Sequence, residues 1–408
     1  MNTLAALTGR VTLHPGAGLP AIRNSRPEIA ARLAPGRRAD ELPELFGAIF
    51  TLCAHAHRHA ARLAIEAARG RPVAHMDQPG QLAQRQALQL ATARDQILRV
   101  THDWPLHLPP AGSPGSAAHL TTNSAASADE IAGQAALLLR ACPLWRNDLA
   151  AADRLAELPN WLEYRWLGMA PAEWLARFEA DPADWPAQWA RDTGPRLVPM
   201  RRLLRDQLDS AGATWTLDLP AAPLQPLDDP TTHLPTLARQ MALQPGFCAE
   251  PLWHGSAADT GPWTRQHDPL RRQGWLARHA WDRLVSRIVD VLRLATPGGA
   301  GWLAQGSLDL GASPLQGGPS GLGWIEMARG LLLHWIELTP DGRHIAAARV
   351  LAPTEWNFHP HGVLAGALAA LPATPAGTLA ASARRLAVAF DPCVEIDVTL
   401  PAAENTHA

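Results

Sequence analysis

Cysteine and histidine crowd one short stretch of this chain. Residues 51–66, "TLCAHAHRHAARLAIE", carry Cys53, His55, His57 and His59. On a helix, residues four apart are neighbours, so Cys53 and His57 share one face and His55 and His59 another. A thiol and an imidazole on one face can offer two ligands to one ion; the alternative is a buried thiol beside solvated imidazoles. Glu66 reads as a solvated carboxylate. A second cysteine, Cys393 in "AFDPCVEIDV", follows a proline that stiffens the backbone, so its sulfur projects from a fixed turn. Arg329 in "EMARGLLLHWIEL" enters an apolar strand and needs an anionic or acceptor partner, because unpaired buried charge is costly. Glu326 is the local candidate and a bound anion the other. Thr354 in "APTEWN" follows Pro353, and its hydroxyl serves either a guest or nearby backbone.

These groups need elements to hold them. Residues 40–69 read as one long helix with Asp40 as N-cap, Pro43 in the first turn and Gly70 as the C-terminal cap. Its apolar stripe includes Leu45, Ile49, Leu52, Cys53, Ala56 and Ala60, which buries Cys53 and leaves His55, Arg58 and His59 at the surface. A second helix is expected at 81–100, and helical patterns recur at 129–141, 146–158, 197–208 and 271–294. Residues 105–128 read as a flexible loop or insertion, and 296–323 as a glycine-rich connector. A hairpin follows, "LLLHWIEL" and "HIAAARVL" flanking "TPDGR", whose Pro-Asp-Gly is turn chemistry. "VEIDVTL" is the last strand. The fold class is α+β, mainly α.

Composition removes several functions. Among 408 residues every one of the 36 basic side chains is arginine. A phosphate-loop lysine, a Schiff-base lysine and a lysine general base are therefore excluded. With 38 acidic residues the net charge is −2, well mixed, which implies no partner nucleic acid or anionic lipid. No secretory leader or membrane insertion is expected, since residues 362–383 are uncharged but mostly small and broken by Pro372 and Pro375. The four cysteines form no CxxC pair, which fits a reducing cytoplasm, and Cys142 and Cys248 read as ordinary buried or half-buried thiols. The 16 tryptophans read as core and interface filler.

Taken together, these stretches resemble the large subunit of NiFe hydrogenases, in the same order and at similar spacing. "AIFTLCAHAH" is similar to R-I-C-G-V-C-x-x-x-H, with Phe50 in place of the first cysteine, Cys53 at the second and His57 at the histidine. "DTGPWTR" at 259–265 is similar to E-T-G-P-L-A-R, "EMARG" to E-A-P-R-G and "APTEWN" to V-P-S-T-W-N. "DPCVEIDVT" is similar to D-P-C-x-x-C-x-x-H, with Cys393 at the first cysteine, Ile396 at the second and Thr399 at the histidine. The likeness covers nearly the whole chain and implies a single large-subunit-like domain over 1–408.

The departures carry the functional argument. The family uses four thiolates to hold nickel and an iron bearing cyanide and carbon monoxide. Phe50 and Ile396 cannot ligate, so no nickel and no catalytic hydrogen turnover are expected. Cys53 and Cys393 remain as metal ligands, with His57 behind them or as a third ligand, and Arg329 and Thr354 match the positions that bond the cyanides, supported by Glu326 and Pro353. This pattern resembles the hydrogenase expression/formation proteins of the HupK/HoxV type. The resemblance implies a cytoplasmic scaffold that transiently holds iron with its cyanide and carbonyl ligands. Its partners would be a hydrogenase large-subunit precursor and Hyp-type maturation proteins. The alternative is a metal-free assembly chaperone of the same shape.

Overall fold

The structure is a computed structural model that describes residues 9–71, 79–108, 128–192, 198–296, 308 and 310–401. Two small sheets stand among helices. One has the order β2-β1-β7, where β1 is Val11–Leu13, β2 is Ile22–Asn24 and β7 is Ile396–Val398. β1 pairs antiparallel with β2 and parallel with β7, Val11 facing Ile396. The other is an antiparallel meander of β3 (Leu310–Leu315), β4 (Ser320–Met327), β5 (Gly330–Leu338) and β6 (Ile345–Leu351). The β5–β6 hairpin forms around the Pro-Asp-Gly turn, as expected. The connector expected at 296–323 is corrected for its second half: residues from Leu310 on are paired strands, while 297–307 and 309 lie outside the described residues. Glycine content misled there because two of the glycines serve packing. A Cβ on Gly321 or Gly323 would stand 2.4 Å from the backbone oxygen of Ala64 or Ala60, so the helix that carries these alanines presses directly onto β4.

The single helix expected at 40–69 is two. Helix α1 (Leu42–Ile49) ends at Phe50, whose φ of −97° and ψ of 62° leave the helical region; a short 3-10 turn covers Thr51–Cys53, and α2 (Ala54–Ala68) follows with Cys53 at its N-cap. The break re-phases the stripe, so that Leu52 is 50% exposed while Cys53 stays buried. His59 is buried rather than at the surface, and His55 is half-buried. Gly70 caps the end with φ of +67°.

Helices form near 81–100, 129–141, 146–158 and 197–208, as α3 (Pro79–Leu98), Ala128–Arg140, Ala151–Leu162 and Pro199–Trp215. Of the loop expected at 105–128, residues 105–107 belong instead to the helix Trp104–His107, and residues 109–127 lie outside the described residues. The helix expected at 271–294 is a short turn, Pro269–Arg272, and then α4 (Ala280–Ala295). Every residue of α4 is buried, including three arginines and two aspartates. Such a helix is tolerable only if its charges are paired. They are: Arg283 with Asp259 at 2.7 Å, Asp290 with Arg265 at 2.7 Å, Arg287 with Asp391 at 2.7 Å, Arg293 with Asp268, and Asp282 with the His279 N–H at 3.0 Å. Helix α5 (Pro353–Asn357) follows β6, and α6 (Ala376–Phe390) leads into the last cysteine. No helix among the described residues is long and apolar enough to cross a membrane.

Candidate functional site

Four of the residues singled out by chemistry meet where α2, β5, α5 and the end of α6 converge. Arg329 ends the β4–β5 turn. The following Gly330 has φ of +129°, and a Cβ there would stand 2.5 Å from Thr260 Oγ1. A side chain is excluded twice, by conformation and by space. Thr260 Oγ1 accepts from Leu331 N–H at 3.1 Å. Asn357 accepts from Thr260 N–H at 2.8 Å, donates to Thr260 O at 2.9 Å and donates to Phe390 O at 3.2 Å. One amide thus ties "DTGPWTR", "APTEWN" and "AFDPC" together. Pro353 opens α5, where its fixed φ suits the first helical position, and this sets Thr354 facing Cys393.

Each sulfur has a hydrogen-bonding partner. Arg329 Nη1 donates to Cys53 Sγ at 3.3 Å, and Thr354 Oγ1 is hydrogen-bonded to Cys393 Sγ at 2.8 Å. Thr354 therefore bonds the second thiol rather than local backbone. Burial pushes the Cys53 thiol up to about 12; Arg329 opposes this and a charge on Cys393 adds to it, so the two sulfurs act on each other. Burial also works against the charge on Arg329, but Asp391, ahead of Cys53, more than restores it.

The local partner expected for Arg329 is corrected. Glu326 Oε1 takes the Gln266 N–H at 2.9 Å, and the carboxylate beside Arg329 is Asp391, with Oδ2 3.5 Å from Nε. Asp391 caps α6 in the left-handed region at φ of 55° and also receives Arg287 at 2.7 Å and Arg99. Burial would raise its pKa, yet Arg287, Arg99 and Arg329 together hold it down at about 2. Arg99 Nη2 further donates to Pro392 O at 3.1 Å, which fixes the turn carrying Cys393. Asp95 on α3 completes the group; burial lifts it to about 6 against the pull of Arg329.

His57 lies one turn beyond Cys53, and its contacts are with His334 and Phe50. Its Nδ1 is 3.0 Å from His334 Nε2, and its ring stacks on Phe50 at 3.9 Å between centroids and 15° between planes. Burial drives both imidazoles neutral, His334 to about 3. Phe50 therefore covers the histidine instead of offering a sulfur. Among the described residues no group of three or more histidine, cysteine, aspartate and glutamate side chains is arranged to hold a metal ion.

The arrangement has spare donors. The Nε groups of Arg329, Arg287 and Arg26 are buried and find no hydrogen-bond partner among the described residues. Orphaned donors of this kind are costly unless an acceptor guest satisfies them. Sequence reasoning missed Arg99, Arg287, Asp95 and His334. Asp391 was legible in "DPC" and was passed over for the nearer Glu326.

Comparison with known proteins shows likeness over nearly the whole chain. The chain is 37% identical over 407 residues to the hydrogenase expression/formation protein HoxV of Cupriavidus necator, covering 98% of this chain and 97% of that one. It is 31% identical over 386 residues to the hydrogenase expression/formation protein HupK of Rhizobium leguminosarum bv. viciae, covering 93% and 92%. Among solved structures it resembles the NiFeSe hydrogenases of Desulfovibrio vulgaris Hildenborough, with a TM-score of 0.54 at 16% identity over 91% of this chain and 92% of that one, and of Desulfomicrobium baculatum, at 0.53 and 16% over 91% and 93%. That second likeness is one of fold: the architecture is α+β, mainly α, of the hydrogenase large-subunit kind. No protein-family model matches the chain.

Proposed function

The chain belongs to the family of hydrogenase expression/formation proteins that includes HoxV and HupK, and from that premise we propose that it serves hydrogenase maturation as a scaffold for iron. The cargo is an iron atom bearing two cyanides and a carbonyl, held briefly and passed to a hydrogenase large-subunit precursor. One observation carries the reading: each of two thiols, from opposite ends of the chain, is met by a hydrogen-bonding group, Cys53 by Arg329 and Cys393 by Thr354. Soft thiolates suit a low-spin iron, and metal-bound cyanide is a strong acceptor for a guanidinium and a hydroxyl. The buried Nε of Arg287, without a hydrogen-bond partner among the described residues, is a spare donor for such a guest.

The chain's own residues divide the work. Cys53, a thiol until about pH 12 in the guest-free protein, gives up its proton as the metal takes the sulfur. Arg329 stabilises the resulting negative charge, with Asp391 holding the guanidinium in place. Phe50 and Ile396 withhold two further thiolates, so a nickel partner is not retained and the cargo is held by two sulfurs only. Weak retention suits release. Hyp-type maturation proteins would supply the cargo, in the cytoplasm, where the reducing milieu keeps both thiols free.

Infrared spectra of the protein purified without oxygen from cells expressing the maturation machinery test this. Cyanide and carbonyl stretches are expected in the wild type and absent from Cys53→Ala and Cys393→Ala. A second reading is favoured by the burial that raises the Cys53 pKa and by the absence, among the described residues, of three ligating side chains around one point: a metal-free chaperone that docks maturation proteins through the shared fold. A wild type that shows no such bands, yet still supports maturation when either cysteine is changed to alanine, establishes that reading instead.

A further inference from the structure

The spacing that puts His55 and His59 on one helix face also predicts them at the surface, and α2 departs from the second half of that expectation. His59 is only 9% exposed and His55 is half-buried. The Nε2 of each ring is shut off from water and has no hydrogen-bond partner among the described residues. The two rings lie nearly parallel, 5° between planes and 6.1 Å between centroids. A buried polar nitrogen without a partner is costly. Two of them, one helical turn apart, fit a guest that binds both.

Geometry and charge narrow the guest. Imidazoles on one metal ion, with nitrogens about 2.0–2.1 Å from it, have ring centres no more than about 6.5 Å apart. The pair falls inside that span, and a small turn of either ring reaches the spacing of roughly 5.3 Å that a tetrahedral ion requires. Burial, with His55 and Arg62 beside it, holds His59 down at about 4, so its ring is neutral and has a lone pair to give. Glu44 of α1 takes Arg58 at 2.8 Å and Arg62 at 2.7 Å, one carboxylate against two guanidiniums. A hard ion such as calcium or magnesium, held by oxygen and by charge, gains nothing beside this group. A first-row transition ion bonds imidazole nitrogen directly and does gain. Arg58 and Arg62 are 37% and 58% exposed, so water screens their repulsion.

We propose that His55 and His59 bind one divalent first-row transition ion through their Nε2 atoms, with water in its remaining positions. The ion spans one turn of α2 just past Cys53, the N-cap of that helix, and so fastens the turn that follows the thiol. Two protein ligands make the site weak and exchangeable. The inference needs neither sulfur and no iron.

Zinc titration of the full chain tests it, in a protein bearing Cys53→Ser and Cys393→Ser so that the ion cannot bind those sulfurs. Bound zinc is read by equilibrium dialysis, and circular dichroism checks that each variant is folded. His55→Asn and His59→Asn should each weaken the binding of one equivalent by about tenfold or more, since even groups behind a ligand matter on that scale. The double variant should lose little more than either single one, because the two rings share an ion. Losses that add in the double variant mean separate ions and overturn the inference, as does unchanged binding in both single variants. His254→Asn, at an exposed position elsewhere, is the control, and an equal loss there overturns it too. Should His59→Asn not fold, His55→Asn at its half-buried position decides alone. A melting temperature raised by inorganic phosphate and not by zinc would show the nitrogens donating to an anion, which also overturns the cation site.

Discussion

Arg329 stands between a sulfur and a carboxylate: its Nη1 is 3.3 Å from Cys53 Sγ and its Nε is 3.5 Å from Asp391 Oδ2. Asp391 has two other guanidinium partners, Arg287 and Arg99, so it is not left unpaired when Arg329 is removed. Arg329→Leu should therefore fold and fail in service. A hydrogen bond to a charged group contributes about 1.5–3 kcal/mol, so hydrogenase activity in cells that depend on this protein should drop roughly tenfold to a hundredfold. Thermal melting of the variant, run beside the activity assay, separates this from unfolding. Normal activity would show that the guanidinium does not touch the guest.

The neutral pair His57–His334 gives the protein an acid limb. Burial lowers both, His334 to about 3, whereas unfolded histidine takes a proton near 6.5. Below about 6.5 the unfolded state binds protons that the folded state cannot, so stability falls as pH drops, by at most about 1.4 kcal/mol per pH unit for each ring. Asp95 has the opposite sign: its pKa of about 6 stabilises the fold as pH falls below that value. Melting temperatures from pH 7 to pH 4 should decline, and decline less steeply in the double variant His57→Leu, His334→Leu. Parallel curves for the two proteins would mean that the imidazoles are not held neutral.

Asn357 is the joint of three motifs. Asn357→Ala leaves Thr260 N–H, Thr260 O and Phe390 O without the partner each now has. Buried groups stranded in this way cost about 1–3 kcal/mol apiece. A loss of about 3 kcal/mol or more in urea denaturation is expected, larger than for removal of Thr354, which carries one bond to a sulfur.

Gly323, like Gly321, lets the sheet approach the helix closely. In Gly323→Ala the new methyl would stand 2.4 Å from Ala60 O, a backbone atom that can move only if all of α2 moves. Overpacking of this kind costs about 1–3 kcal/mol. Gly318→Ala, which meets nothing within 4 Å, is the control and should change stability by no more than about 0.5 kcal/mol. Equal stability of the two variants would mean that α2 does not rest on β4 at this point.

How much of this was legible in the sequence depends on how far apart the cooperating residues lie. Cys53, Arg329, Thr354 and Cys393 each sit in a short motif with its own chemistry, and the structure brings their side chains into one place. The hairpin at Pro340-Asp341-Gly342 was equally readable, because turn chemistry is local. The break at Phe50 was not: the apolar stripe runs through it in phase well enough to suggest one helix, and only the folding of α1 back onto α2, where Leu42 and Phe46 share a core with Ala61, Ala64 and Ile65, requires the kink. His59 is buried because α2 is covered on most of its faces, His57, Ala60 and Ala61 included, and not along one stripe. Arg99 and Arg287 were invisible because an arginine in an amphipathic helix looks solvated until a carboxylate from the far end of the chain is placed beside it. Strands β3 and β4 hid behind their glycines.

The first and last strands lie side by side, Thr399 N–H bonding Leu13 O at 2.9 Å and Val11 N–H bonding Glu395 O at 3.2 Å. The segment carrying Cys393 must therefore leave the ribosome before β7 can join β1 and seat that cysteine. Until then a nascent chain has Cys53 without its counterpart from β7's end. Pairing of the two thiols thus waits on translation past Cys393, some 340 residues after Cys53.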